Sequence, residues 1–424
     1  MKKLLVLLLS VCVVLGCLSA QGAKEAESAQ SGPVDIKIST WTSNKDQIAL
    51  LNSFVEEFAA LKGIEINAEF ETITYAEYTT KLSLELQGSS APDVYWVLEN
   101  TAPAFVASGY MADLTEALQA YDYDDFSQEA MGLWVKDGKV YGVPFSTSPF
   151  FILYNEDLFV QAGCKTPAEM VADGTWTWEN FRDVCKKIKD ATGVYGFETV
   201  DGSGYDSRIL GNLIPIIRAY GGDAWDDDGN ILINSKESVE AVQLFHDMLY
   251  KDGSVVPPGD QSDFYSGAAA MTVGQISRVS KLAEGSFNWG MAPMPSGPAG
   301  SSAVIGQAAI AANAKGKNVE LATELVAYMT NRECVARIAG IWPPARKSVL
   351  NSEEFLTSNS LVTADQMKTA VAASIENGKV LPSHINYSQI EVESKIVWDK
   401  LWNSSADVQA VCDEVAAVYA KYIK

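Results

Sequence analysis

Histidine is nearly missing from this chain, with two in 424 residues, His246 and His384. That is too few for most His-based metal sites or catalytic triads, and no HExxH or GxSxG motif occurs. Basic residues are also scarce: 32 Lys and Arg stand against 54 Asp and Glu, a net charge of −22. A phosphate backbone calls for a basic face, and no basic patch exists here, which argues against a nucleic-acid partner. Neither a P-loop nor a GxGxxG after a strand is present, so nucleotide binding has no support. Cysteine is sparse and lacks CxxC or Cys/His spacing. Cys164, Cys185, Cys334 and Cys412 read as small buried apolar residues, with a Cys164–Cys185 bridge as the alternative. Beyond the N-terminus no run reaches the roughly 18 apolar residues of a spanning helix.

Apolar residues, by contrast, make up 47%, and aromatics are plentiful: 10 Trp, 17 Tyr and 15 Phe. The length suggests two or three domains at roughly 150 residues each, with ample core. Lys2 and Lys3 precede an apolar run from Leu4 to Leu15, the shape of an export signal. It ends in Val14-Leu15-Gly16-Cys17, which resembles a bacterial lipobox in which Cys17 is lipidated; cleavage after Leu18-Ser19-Ala20 is the rival reading. Residues 1–16 are thus expected to be a signal peptide, and residues 17–33 a lipid anchor and polar tether. An exported lipoprotein held at the cell membrane, facing the periplasm or the cell exterior, is the expectation.

From Val34 onward the pattern is α/β. Val34, Ile36 and Ile38 alternate as a strand, and Ile48, Leu51, Phe54, Val55 and Phe58 recur at helical spacing, capped by Ser43 or Asn44. Gly63 ends that helix, residues 64–70 alternate as a strand, residues 75–86 form a helix that stops at Gly88, and Pro92-Asp93-Val94-Tyr95-Trp96-Val97 begins a third strand. Such alternation implies right-handed crossovers and a mostly parallel sheet, whose ligands bind beyond the carboxyl ends of the strands. Trp41, Trp96 and Glu99 sit at or just past those ends. A second α/β region begins near Phe150, and Pro293 to Gly300 marks a crossing between bodies. Further helices are expected over residues 178–189, 238–250, 319–330, 390–401 and 407–423.

An ordered set of segments then carries a resemblance. They are Ala91-Pro92-Asp93-Val94, Gly109-Tyr110-Met111-Ala112-Asp113-Leu114-Thr115 and Asp137-Gly138-Lys139-Val140-Tyr141-Gly142-Val143-Pro144. Leu153-Tyr154-Asn155-Glu156-Asp157-Leu158-Phe159, Ala219-Tyr220-Gly221-Gly222 and Gly267-Ala268-Ala269-Ala270-Met271 follow. Met291-Ala292-Pro293-Met294-Pro295 and Pro343-Pro344-Ala345-Arg346 close the series. The chain resembles the extracellular solute-binding proteins of the carbohydrate-uptake ABC-importer type, the group that includes maltodextrin-binding proteins. The resemblance implies a two-lobed periplasmic-binding-protein-like fold, each lobe a mostly parallel sheet flanked by helices, closing on a sugar at the hinge between them. The lobes would comprise residues 34–147 plus about 300–346, and residues 148–299 plus about 347–424. It further implies a carbohydrate ligand, the membrane subunits of an ABC importer as partners, a monomer, no cofactor or metal, and no enzymatic activity.

A sugar site needs flat aromatic walls for C–H faces and carboxylates, amides or Arg for hydroxyls. Trp96 stands where the relatives place a stacking Trp; the alternative is a Trp finishing a core strand. Glu99 lies where relatives often have an acidic hydroxyl acceptor; a helix-start Glu is the alternative. Trp41 should face the cleft from the first strand's end, and Trp225 would be a wall from the second lobe. Where many relatives carry a further stacking Trp, Gly274-Gln275-Ile276 stands, so Gln275 would bond a hydroxyl without stacking. Trp342 would supply the missing wall, and Arg346 is either a fixed donor or paired to a structural carboxylate. Trp134, Trp176, Trp178, Trp289, Trp398 and Trp402 read as packing. The Asp226/Asp228 spacing fits part of a calcium loop, but Ala224 and Ser235 occupy its first and twelfth positions. Two other functions remain open: a carbohydrate hydrolase or lyase using a carboxylate pair, and a peptide- or polyamine-binding lipoprotein.

Overall fold

The computed structural model describes residues 32–199, 205, 209–283, 287–301 and 303–424, with only the backbone at Glu129. The apolar run, Cys17 and nearly all of the tether lie outside them. Eleven strands are described. They are β1 (Val34–Thr40), β2 (Ile66–Thr72), β3 (Val94–Leu98), β4 (Val135–Lys136), β5 (Lys139–Val140), β6 (Val143–Pro149), β7 (Phe151–Asn155), β8 (Met271–Gly274), β9 (Trp289–Pro293), β10 (Val304–Ala312) and β11 (Lys379–Val380).

The first sheet runs β11-β10-β3-β1-β2, and β6 pairs with the other side of β10. β1 lies parallel to β2 and β3, as the alternation of strand and helix requires, whereas β10 enters antiparallel to both β3 and β6. The helix between β1 and β2 spans Lys45–Lys62. Asn44 opens it, its side chain accepting from the backbone N–H groups of Asp46 and Gln47, and Gly63 closes it at φ 65°, a conformation costly for residues with a Cβ. Leu51, Phe54, Val55 and Phe58 recur three and four residues apart, so one stripe of this helix is buried against the sheet. Asp137 and Gly138, both at positive φ, turn β4 into β5 in the sharp geometry that suits a two-residue hairpin.

β6 leads into β7 across the single residue Phe150, whose N–H bonds the Val304 carbonyl at 2.8 Å. β9 is followed in the chain by β10, so two connections, β6 to β7 and β9 to β10, pass from one sheet to the other. The expected crossing at Pro293–Gly300 is one of them. The second sheet, β8-β7-β9, is antiparallel throughout its ladders. This departs from the mostly parallel sheet expected there. The reason is topological: β7 leaves the first sheet and β9 must run back toward it. Among the described residues, parallel pairing survives nearby as isolated bridges, such as Glu198 with Thr272.

The uninterrupted apolar run of β7 is buried on both faces. Ile152 and Tyr154 join a core with the helices Trp178–Thr192, Ile209–Tyr220, Lys236–Tyr250 and Val408–Tyr419, while Phe151 and Leu153 face Val279, Val349, Phe355 and Met367. The helix Arg332–Ile338 contributes Cys334 and Ile338 to the core of the first sheet and Val335 and Ala336 to that of the second. Cys164, Cys185, Cys334 and Cys412 are all free thiols. No helix among the described residues is long and apolar enough to cross a membrane.

Candidate functional site

A cavity of about 500 Å3 lies where the carboxyl ends of β1 and β3 face the end of β8. The strand-end rule places it, because side chains just past β1, β2 and β3 converge there. Trp41 follows β1, Tyr75 follows β2 and Glu99 follows β3, and all three line the cavity. From the opposite side come Gln275, Ser277, Arg278 and Lys281, carried by the end of β8 and the short helix Ile276–Leu282. Phe150, between β6 and β7, and Gln307, on β10, line it between these two sides.

Trp41 is half-buried and rests edge-on against Trp96 (centroids 4.6 Å apart), Tyr78 (5.0 Å) and Tyr75 (5.7 Å). Trp342 lines the cavity as well, and its ring meets Trp96 at 5.4 Å and Phe145 at 5.7 Å. Two indole walls are thereby held by one aromatic cluster centred on Trp96. Trp96 itself is 1% exposed and lines no part of the cavity. Its expected place as a cleft wall is therefore corrected: β3 is covered on both faces, and residues 94–97 are all buried. It supports the walls from behind.

Glu99 is 5% exposed, and its Oε2 accepts the Gln307 backbone N–H at 3.0 Å. Burial disfavours the charged form and pushes its carboxyl up to about 7, against the milder pull of that N–H and of its own backbone N–H. Gln275 donates from Nε2 to the Ser148 carbonyl at 3.1 Å, tying the end of β8 to β6. A Cβ at position 306 would stand 2.9 Å from that amide nitrogen, so the neighbouring glycine makes room for it. Asn44, Gln47, Asn100 and Asn212 add amides around the rim.

Two further expectations are corrected. Arg346 is 0% exposed and outside the cavity. Its guanidinium donates to the carbonyls of Thr330 (2.7 Å), Tyr121 (2.7 Å) and Asp122 (3.0 Å), meets the Asp125 carboxylate at 3.3 Å, and lies 4.0 Å over the Phe126 ring. The structural-carboxylate alternative describes this Arg. Trp225 lines a different cavity, with its ring edge-on to Tyr419 at 5.3 Å. The Asp226 loop beside it is a turn closed on itself: Asp226 accepts from the N–H groups of Asp228 and Asn230.

Residues missed from the sequence include Tyr75, Gln47, Arg278 and Lys281. The rule that pointed to Trp41 and Glu99 applies equally to Tyr75, three residues past β2. Gln47 sits in the first turn of a helix, and nothing in its periodicity marks that turn as facing a cavity.

The family model described as bacterial extracellular solute-binding protein matches residues 53–364. Among curated relatives, the arabinooligosaccharide-binding protein of Bacillus subtilis (strain 168) is 23% identical over 395 residues, covering 88% of this chain and 87% of that protein. The galactooligosaccharide-binding protein of the same organism is 25% identical over 346 residues, covering 78% and 77%. Among solved structures, an ABC substrate-binding protein of Listeria monocytogenes in complex with cycloalternan superposes with a TM-score of 0.79 at 22% identity, covering 92% of this chain and 99% of that one. A maltose-bound T. maritima MalE3 gives 0.77 at 20% identity, with coverages of 92% and 99%. These neighbours share the two-lobed fold.

Proposed function

The chain belongs to the bacterial extracellular solute-binding proteins, and from that premise we propose that it captures a sugar or oligosaccharide in the cavity of about 500 Å3 and hands it to an ABC importer. The observation that carries the reading is the pairing of two indole walls, Trp41 and Trp342, with the buried carboxyl of Glu99 and the rim amides. Aromatic faces take the C–H surfaces of a pyranose or furanose ring, and the polar groups take its hydroxyls. Relatives named for arabino- and galacto-oligosaccharides support the same ligand class.

Binding without covalent chemistry is the proposed activity, and closure of the two lobes on the ligand is the proposed response. The lobes are proposed to be residues 34–147 with about 300–346, and residues 148–299 with about 347–424. Arg332–Ile338 is the segment where that division is least sharp, since it packs into both cores. Cys17 is proposed as a lipidated anchor, with the following polar stretch as tether. A monomer is proposed, as the resemblance to the family implies.

A thermal-shift screen of mono- and oligosaccharides, followed by calorimetry, tests the reading. A ligand at 100 times its Kd should add about 2.7 kcal/mol of stability. A melting point raised by peptides or polyamines and by no saccharide overturns the carbohydrate assignment. Consumption of a saccharide by substoichiometric protein would replace binding with hydrolysis or elimination.

A further inference from the structure

A second cavity, of about 440 Å3, lies on the other side of the crossing segments and shares Gln307, Leu381 and Pro382 with the first. We propose that it is a second, separate binding site for a small neutral polyhydroxylated solute, a polyol or monosaccharide. Its size falls within the roughly 300–1,000 Å3 of small-molecule pockets.

Three observations select that chemistry. The half-buried Trp225 supplies an aromatic wall for C–H faces, held in place by Tyr419. The charges around the cavity balance, two cations against two carboxylates, and most are already engaged with one another. Asp223 Oδ2 takes Arg218 Nε and Lys379 Nζ, each at 3.0 Å, while Arg218 Nη1 donates to the Lys379 and Val380 carbonyls. A net ionic ligand would thus meet no complementary excess charge. Finally, Thr147 and Gln307 line the cavity at 2% and 1% exposure, and Thr147 Oγ1 and Gln307 Nε2 have no hydrogen-bond partner among the described residues. Buried polar atoms are nearly always paired. Gln307 does not turn away to find a partner, because its Oε1 is held by the Trp134 indole N–H at 2.7 Å. For a ligand hydroxyl to complete either group the side chain must shift toward the cavity, since both atoms are buried in the free protein.

The inference goes beyond the transport reading and does not depend on which sugar fills the first cavity. The test is 19F NMR of the full chain labelled with 5-fluorotryptophan, titrated separately with glycerol, myo-inositol and glucose, with Trp225 assigned through Trp225→Phe. At least one of the three should shift the Trp225 resonance saturably. Thr147→Val should weaken that binding about 5- to 10-fold, the loss of one hydrogen bond, without lowering the melting point, since the hydroxyl has no partner among the described residues. A Trp225 resonance unmoved by all three solutes overturns the proposal, and so does a Thr147→Val protein that binds with unchanged Kd. Trp41 and Trp342 are assigned in the same way through Trp41→Phe and Trp342→Phe; because the cavities share Gln307, Leu381 and Pro382, a Trp225 shift that Trp41→Ala abolishes comes from the first cavity and overturns the proposal.

Discussion

Glu99 and Gln307, 208 residues apart in the chain, are joined by one bond at the wall of the larger cavity: Glu99 Oε2 accepts the Gln307 N–H at 3.0 Å. The same Gln307 takes the Trp134 indole N–H on its side chain. The end of β3, the crossing strand β10 and a core tryptophan are therefore tied into one line, with a titratable carboxyl at its cavity end.

That carboxyl should make stability depend on pH. The folded protein holds the Glu99 proton up to about pH 7, whereas the unfolded chain releases it near 4.5. Between those values the folded state binds more protons, so its stability falls as pH rises and levels off above about 7. The effect should be on the order of 2–3 kcal/mol. Glu99→Gln keeps an acceptor for the Gln307 N–H but cannot titrate. Urea unfolding at pH 5 and pH 8 should show the variant gaining on the parent at the higher pH. An identical difference at both pH values would show that Glu99 is not the group responsible.

Arg346 should matter for folding and not for sugar. Truncation to Ala removes a guanidinium that satisfies the carbonyls of Tyr121, Asp122 and Thr330 and meets the Asp125 carboxylate. Removing one partner of a buried ionic network costs about 3–5 kcal/mol. Denaturant midpoints should drop accordingly, while the Kd of protein that remains folded stays within twofold. A Kd raised tenfold with normal stability would return Arg346 to the binding machinery.

Much of this was legible in the sequence. The strand–helix–strand alternation from Val34 gave the parallel core of the first sheet, and the Asn44 cap and Gly63 stop bounded its first helix closely. The strand-end rule pointed to Trp41, Trp96 and Glu99 alike, and of the three Trp41 and Glu99 line the cavity. Trp96, Trp225 and Arg346 do not, and for one reason: residue type shows what a side chain offers, while tertiary packing decides whether a cavity or a neighbour receives it. Trp96 and Trp342 share a cluster, yet which of the two faces the cavity depends on contacts between residues some 250 positions apart. The antiparallel second sheet was hidden similarly, because β9 has an ordinary apolar strand sequence and its direction is set by where β10 must begin.

The cysteines should be inert in stability assays. Cys185, Cys334 and Cys412 are buried free thiols, and burial pushes the Cys334 and Cys412 thiols up to about 12. Melting temperatures with and without dithiothreitol should agree, and native protein should resist alkylation at these three until unfolded. A melting point lowered by the reductant would reveal a disulfide that the structure lacks.

The two tryptophans in edge contact should separate binding from folding. Trp41 and Trp96 have ring centroids 4.6 Å apart, but one faces the cavity and the other is enclosed by Trp41, Phe145 and Trp342. Trp41→Ala removes a wall that a sugar ring would cover, at a cost of about 1–3 kcal/mol in affinity, or roughly 5- to 150-fold in Kd. Its stability cost should be the smaller of the two, since part of the ring already faces solvent. Trp96→Ala empties the middle of the cluster and should cost about 3–5 kcal/mol of stability. Affinity should fall there too, but indirectly, because Trp41 and Trp342 lose the surface that orients them. Trp96→Phe distinguishes the two effects: a smaller ring still fills part of the gap, so stability and affinity should recover together. If Trp96→Phe restored stability while affinity stayed as low as in Trp96→Ala, the indole of Trp96 would have to touch the ligand, and its place behind the walls would be wrong.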